Sequence, residues 1–113
     1  KSWLVRQASL NAISGELNYK ELTVAYDREK NSQPRKTIIT QMSTNYPQKS
    51  AEFIRGKIVN DNSYVVQAEM VKQLGAIGKS SDISLIKKLS KEWSPRHIIR
   101  KASNRAILLL EGQ

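Results

Sequence analysis

The single histidine of this 113-residue chain, His97, is the obvious centre for any catalytic or metal-binding chemistry. The chain has no cysteine, and one imidazole without carboxylate partners at ligand spacing cannot build a zinc site. A catalytic serine triad built on this histidine has no obvious partner to orient the imidazole. The segment G-A-I-G lacks the Lys-Ser/Thr of a phosphate-binding loop. We therefore expect no catalytic, cofactor-binding or metal-binding residue, and we interpret His97 as a surface residue near a helix start.

Three arginines recur at one position of the sequence pattern and are the better candidates for a binding function. Arg6, Arg35 and Arg100 each follow an apolar residue or a proline that opens a helical segment. They could form a basic ladder along an inner surface, suited to an acidic peptide, a phosphate backbone or a partner domain. Alternatively, they could pair with acidic residues at the turns between repeats. We favour pairing because Asp61 stands at such a turn, and we predict that its partner is Arg100, one repeat further on.

Helical patterns position these residues. In the segment Asp61 to Gly78, one apolar stripe follows a helical period, with Ser63 as N-cap and Gly78 just after the end. The stripe consists of Val66, Met70, Leu74 and Ile77. Six further helices are expected: Ser2 to Ser14, Leu17 to Glu29, Pro34 to about Ser43, one capped by Ser50, one opened by the turn Ser80-Ser81-Asp82, and one from Ser94-Pro95 to about Leu110.

The helices that carry the arginine position recur at a nearly constant interval. Their openings lie at residues 5, 34, 66 and 99, which are 29, 32 and 33 residues apart. An apolar residue follows eight places after each opening: Ile13, Met42, Leu74 and Ile107. Such self-similarity is the signature of a repeat array in which each unit stacks on its neighbours. The sequence therefore predicts an all-α fold, an α-solenoid of antiparallel helix pairs with about three and a half repeats.

Size and composition are consistent with one domain spanning residues 1–113, which we expect to be a piece of a longer protein. The longest apolar run, Ala106 to Leu110, is too short to span a bilayer, and we expect no membrane partner and a cytoplasmic location. The formal net charge of +9 leaves nucleic acid as a less favoured partner, since the basic residues are scattered. We interpret Trp3 and Trp93 as core residues at repeat junctions rather than as interface anchors.

The apolar-arginine opening with its apolar eighth place resembles the second helix of HEAT repeats. Between Asp61 and Ala106, the segments D-N-S-Y-V-V-Q-A-E and S-P-R-H-I-I-R resemble the C-terminal HEAT-like region of zinc aminopeptidases of the aminopeptidase N family. The H-E-x-x-H and G-x-M-E-N motifs of that family's catalytic domain are absent here. The resemblance implies a non-catalytic domain that packs against the catalytic domain of its own chain or binds another protein. A free-standing HEAT adaptor and a basic nucleic-acid binder are the alternatives.

Overall fold

The computed structural model describes residues 18–112, and within this range the chain is all-helical with no strand. The helices are α1 Tyr19–Arg28, α2 Ser32–Asn45, α3 Pro47–Lys57, α4 Tyr64–Ile77, α5 Ile83–Ser90 and α6 Ile98–Glu111. Short 3-10 turns, Ser80–Asp82 and Pro95–His97, lead into α5 and α6. The predicted helix Ser2 to Ser14, which contains Trp3 and Arg6, lies outside the described residues.

Alternate helices lie side by side. Helix α4 packs against α2 on one side and against α6 on the other, and α1, α3 and α5 pack beside this row. The Oγ atoms of Ser32 and Ser63, at the N-terminal ends of α2 and α4, are 2.8 Å apart, so these two ends are adjacent. Tyr26 of α1 and Phe53 of α3 meet edge to face, with ring centroids 5.2 Å apart. The described chain therefore forms two layers of helices.

The buried faces of α2 and α4 repeat with an offset of 32 residues (34 to 66, for example). The five buried residues of α2 each have a buried counterpart in α4. The paired positions are Pro34, Ile38, Ile39, Met42 and Ser43 with Val66, Met70, Val71, Leu74 and Gly75. The predicted apolar stripe is confirmed at Val66, Met70 and Leu74, which have no exposed surface.

Helices α4 and α6 approach each other very closely at Gly75. A Cβ atom placed on Gly75 would lie 2.7 Å from both Cα and Cβ of Ala106, well inside van der Waals contact. The glycine is therefore needed for space and not for an unusual backbone angle, because none of the glycines within residues 18–112 has a positive φ. The same holds at Gly78, the C-cap of α4, where a Cβ would meet the carbonyl oxygen of Leu74 at 2.5 Å.

Several predicted boundaries shift. Helix α3 begins at Pro47 instead of being capped by Ser50, because a proline in the first turn sacrifices no helical hydrogen bond. Ser50 is buried inside that helix. Helix α5 ends at Ser90, so Trp93 falls in the following loop and is 70% exposed, which makes its assignment to the core wrong. The predicted N-cap Ser63 is confirmed, since its side chain accepts a hydrogen bond from the backbone N–H of Val66.

Candidate functional site

A buried cluster connects the start of α2 to the turn before α4. Arg35 and the hydroxyl of Tyr26 both donate hydrogen bonds to Oδ2 of Asp61. The Oδ1 atom of Asp61 accepts from the backbone N–H of Ser63 at 2.9 Å. The guanidinium of Arg35 also lies over the Tyr26 ring, 4.7 Å from its centroid. Because the Asp61 side chain has no exposed surface, these contacts replace the water that would otherwise solvate its carboxylate.

The predicted pairing of Asp61 with Arg100 is wrong. Asp61 pairs with Arg35, which precedes it in the chain, because the N-terminal end of α2 lies beside the turn that carries Asp61. Arg100 is exposed near the start of α6 and forms no ion pair within residues 18–112. The structure thus brings together two of the four predicted residues, Arg35 and Asp61. Arg6 lies outside the described range.

Burial, followed by the hydrogen bond to Asp61, raises the pKa of Tyr26 well above the ordinary value of a tyrosine. The phenol therefore remains protonated at neutral pH and remains a donor to the carboxylate. The exposed fraction of Tyr26 is only 5%, although the sequence analysis did not single out this residue. The cluster thus contains a buried tyrosine that the helical period alone did not identify.

A second arginine–aspartate pair, which sequence analysis missed, connects α3 to the turn before α5. Arg55 binds both oxygens of Asp82, with Nε to Oδ1 at 2.6 Å and Nη2 to Oδ2 at 2.8 Å. Oδ2 also accepts from the backbone N–H of Lys79 at 2.8 Å. The hydrogen bond from Arg55 lowers the pKa of Asp82, and that from Lys79 lowers it further, while burial opposes them. The two pairs are equivalent. Arg35 of α2 binds the aspartate that precedes α4, and Arg55 of α3 binds the aspartate that precedes α5, so each pair connects two alternate helices.

A concave surface among the described residues forms a groove across α2, α4 and α6. Its volume is about 850 Å³. The floor is mainly apolar and is contributed by α4 and α6: Val65, Ala68 and Ala76, and Ile98, Ala102 and Leu109. This floor lies on faces of α4 and α6 that the neighbouring helices leave uncovered, and Val65 and Leu109 are 36% and 52% exposed. We call this surface the α2–α4–α6 groove.

Three cations line the α2–α4–α6 groove, Lys36, Lys72 and Arg105, one from each helix. Lys72 and Arg105 are exposed, and within residues 18–112 none of the three forms an ion pair. The one carboxylate that lines the groove, Glu69, is 5% exposed. Its Oε2 atom accepts hydrogen bonds from Thr40 at 3.1 Å and from Gln73 at 2.6 Å. The accessible charge of the groove is therefore positive.

The signal that could have revealed the groove is the second apolar face of α4. Val65, Ala68 and Ala76 lie outside the stripe that was assigned to the core, so the helix has apolar residues on opposite sides. Lys72 and Arg105 are also 33 residues apart, the offset of the last two repeat openings.

The remaining residues that the sequence singled out, His97 and Trp93, both lie at the surface. His97 is exposed, in the 3-10 turn before α6, and has a positive φ of 55°. No group of three histidine, cysteine, aspartate or glutamate side chains within residues 18–112 could hold a metal ion. Likewise, none of the described helices combines the length and apolarity needed to cross a membrane. Trp93 stacks edge to face on Tyr64, with ring centroids 5.7 Å apart.

Comparison of the chain with protein-family models, curated proteins and solved structures finds no match. The HEAT and aminopeptidase resemblances therefore rest on the residues quoted for them.

Proposed function

We propose that this chain is a non-catalytic helical-repeat domain that binds a segment of a protein along the α2–α4–α6 groove. The observation that carries the proposal is the groove itself, a concave surface with an apolar floor that the helices within residues 18–112 leave uncovered. Concave sites with mostly apolar linings and a few polar groups are typical of ligand and peptide binding. The area is contributed by three successive helices of one layer, as expected for a binding surface of a repeat array.

The proposed architecture is a HEAT-like α-solenoid of about three and a half repeats. Its support is the 32-residue offset between the buried faces of α2 and α4, together with the side-by-side packing of α2, α4 and α6. Helix α3 of the second layer contacts both α2 and α4, while α1 packs on α2 and α5 on α6. Contacts restricted to near neighbours in this way are characteristic of solenoids.

The same groove suits the packing role that the aminopeptidase resemblance implies, in which the bound segment would belong to a catalytic domain of the same chain. The aminopeptidase hypothesis predicts that the segment belongs to the same chain, and the adaptor hypothesis predicts that it belongs to another protein. A longer upstream sequence with an H-E-x-x-H helix would favour the aminopeptidase hypothesis, and a partner encoded separately would favour the adaptor.

The test is a selection of binding peptides from a random display library, followed by mapping with two matched double variants. Val65→Gln/Ala76→Gln makes two exposed floor positions polar and longer without changing charge. Val24→Gln/Val59→Gln is the control, because these valines are also exposed but lie away from the groove. We expect selected peptides to lose binding to the first variant and to retain it with the second. Binding that is indifferent to the first variant would overturn the proposal.

A further inference from the structure

We propose that the occupant of the α2–α4–α6 groove is an acidic amphipathic α-helix, a partner segment with one apolar stripe flanked by aspartate and glutamate. This inference rests on the proposed function and names the chemistry of the bound segment. It follows from the shape of the groove, from the character of its floor and from the sign of the charges along it.

The shape and the floor favour a helix. Helix α4 has 14 residues and therefore offers a wall of about 20 Å, the length of about four helical turns. The floor has side chains near both ends of this wall: Val65 and Ile98 at the N-terminal end, Ala76 and Leu109 at the C-terminal end. An amphipathic helix that lays its apolar face into such a groove is a recurrent mode of recognition, with anchors every three or four residues. The alanines Ala68 and Ala102 between these ends leave room for larger side chains of the partner.

The charges favour an acidic partner. Lys72 from α4 and Arg105 from α6 are both exposed, and Lys36 of α2 adds a third cation. Carboxylates beside the apolar stripe of a bound helix would meet these cations, whereas lysines there would be repelled. Glu69 does not compete, because it is buried and already held by Thr40 and Gln73. Complementary charge of this kind steers association and selects against partners of the wrong sign.

Nucleic acid fits the groove less well, although the chain has a net charge of +9. A phosphate backbone needs cations along its path, and single-stranded bases need aromatic side chains on which to stack. None of the described residues that line the groove is aromatic, and its cations surround an apolar floor that also contains a carboxylate. Most of that floor would remain uncovered beneath a polyanion, while the apolar stripe of a helix would bury it.

The experiment measures binding of a fluorescent helical peptide of about 18 residues, with leucine at helical spacing and glutamate beside it. Three matched peptides replace every glutamate by glutamine, replace every glutamate by lysine, or scramble the order so that the leucines no longer form a stripe. A single-stranded oligonucleotide is the fifth ligand. All are titrated against the whole chain at low and at physiological salt.

Two double variants with the same change in net charge provide the protein controls. Lys72→Glu/Arg105→Glu reverses two cations of the groove, and Lys20→Glu/Lys87→Glu reverses two exposed cations on α1 and α5. We expect the acidic peptide to lose at least about tenfold in affinity for the groove variant and to change little with the control, because reversal replaces attraction by repulsion. The lysine peptide should gain affinity for the groove variant. Unchanged circular dichroism spectra would show that both variants are folded.

The outcomes separate the two proposals. If the acidic and glutamine peptides bind equally and neither responds to charge reversal, while Val65→Gln/Ala76→Gln abolishes both, the acidic specificity is wrong and the binding groove stands. If peptides bind but no groove variant affects them, both proposals fail. Failure of the acidic peptide to bind at all overturns the inference, as does stronger salt-sensitive binding of the oligonucleotide that Lys72→Glu/Arg105→Glu removes. The peptide selection then decides the proposed function separately.

Discussion

The close approach of α4 and α6 can be tested with the same substitution at two glycines, one crowded and one open. Gly75 lies inside α4, where a new Cβ would be 2.7 Å from two carbon atoms of Ala106. Gly56 lies in α3, and a new Cβ there would meet nothing within 4 Å. Neither glycine has a positive φ, so alanine fits both backbones. Any difference between the two variants must therefore come from packing.

The magnitudes follow from two opposing terms. Alanine in place of glycine stabilises a helix interior by up to about 1 kcal/mol, and this gain applies at both sites. At Gly75 carbon atoms attract best at about 3.5–4.0 Å, so α4 and α6 would have to separate by about 1 Å. Because one of the atoms met is a backbone Cα, no side-chain rotation relieves the contact. Overpacking of a core costs about 1–3 kcal/mol, and we take the upper end.

We therefore expect Gly75→Ala to reduce the free energy of unfolding by about 2 kcal/mol and Gly56→Ala to increase it by about 0.5–1 kcal/mol. Urea denaturation followed by circular dichroism measures both. The expected shift in the melting temperature for Gly75→Ala is a decrease of about 10 °C, given roughly 4–8 °C per kcal/mol in a domain of this size. If Gly75→Ala stabilised the protein as Gly56→Ala does, α4 and α6 would not be in contact at this point.

Four other outcomes are expected. Leu74→Ala should cost about 2–5 kcal/mol because it empties a fully buried site, whereas Leu108→Ala, at a 70% exposed position, should stay within about 0.5 kcal/mol; a small effect of both in urea denaturation would contradict the assigned core. Arg35→Met should cost about 3–5 kcal/mol because it leaves a buried carboxylate without its cation, and Arg100→Met should cost less than about 0.5 kcal/mol; equal losses would refute the pairing. The lowered pKa of Asp82 stabilises the fold above the ordinary aspartate value of 3.8 and loses this contribution as the pH falls through the lower folded value; acid denaturation of Asp82→Asn should therefore depend less on pH in that range. The purified chain should neither bind stoichiometric zinc nor hydrolyse aminopeptidase substrates, and chelator-sensitive hydrolysis that survives repurification would disprove this.

The helical class and most of the core could be predicted because they depend on periodicity. The stripe of α4 and its offset from α2 follow from apolar spacing alone, and Met42, the apolar eighth place of its segment, is fully buried. Trp93 was misplaced for the opposite reason. A tryptophan at the end of a helical pattern fits the period, but α5 ends three residues earlier and the ring stacks on Tyr64 at the surface.

The ion pairs were harder to predict because they depend on the relative placement of turns and helix starts. The sequence analysis expected an arginine partner for Asp61 but selected Arg100, because the repeat offset was applied toward the C-terminus and not toward Arg35. Asp61 turns toward the preceding helix of its layer and reaches Arg35. The pair of Arg55 and Asp82 was missed because Arg55 lies on α3. This helix is not one of those whose openings carry the recurring arginine position.

The neighbour-only packing of the helices has a consequence for how the domain melts. In this 113-residue chain α6 packs mainly on α4 and α5, whereas α4 is held by α2, α3 and α6. Separation of α6 from α4 would expose one face of α4, which α2 and α3 would still hold. The groove needs both α4 and α6, so its capacity to hold a segment depends on these two helices staying together. Any local opening that separates α6 from α4 would therefore abolish binding of the segment, even while the other helices stay folded.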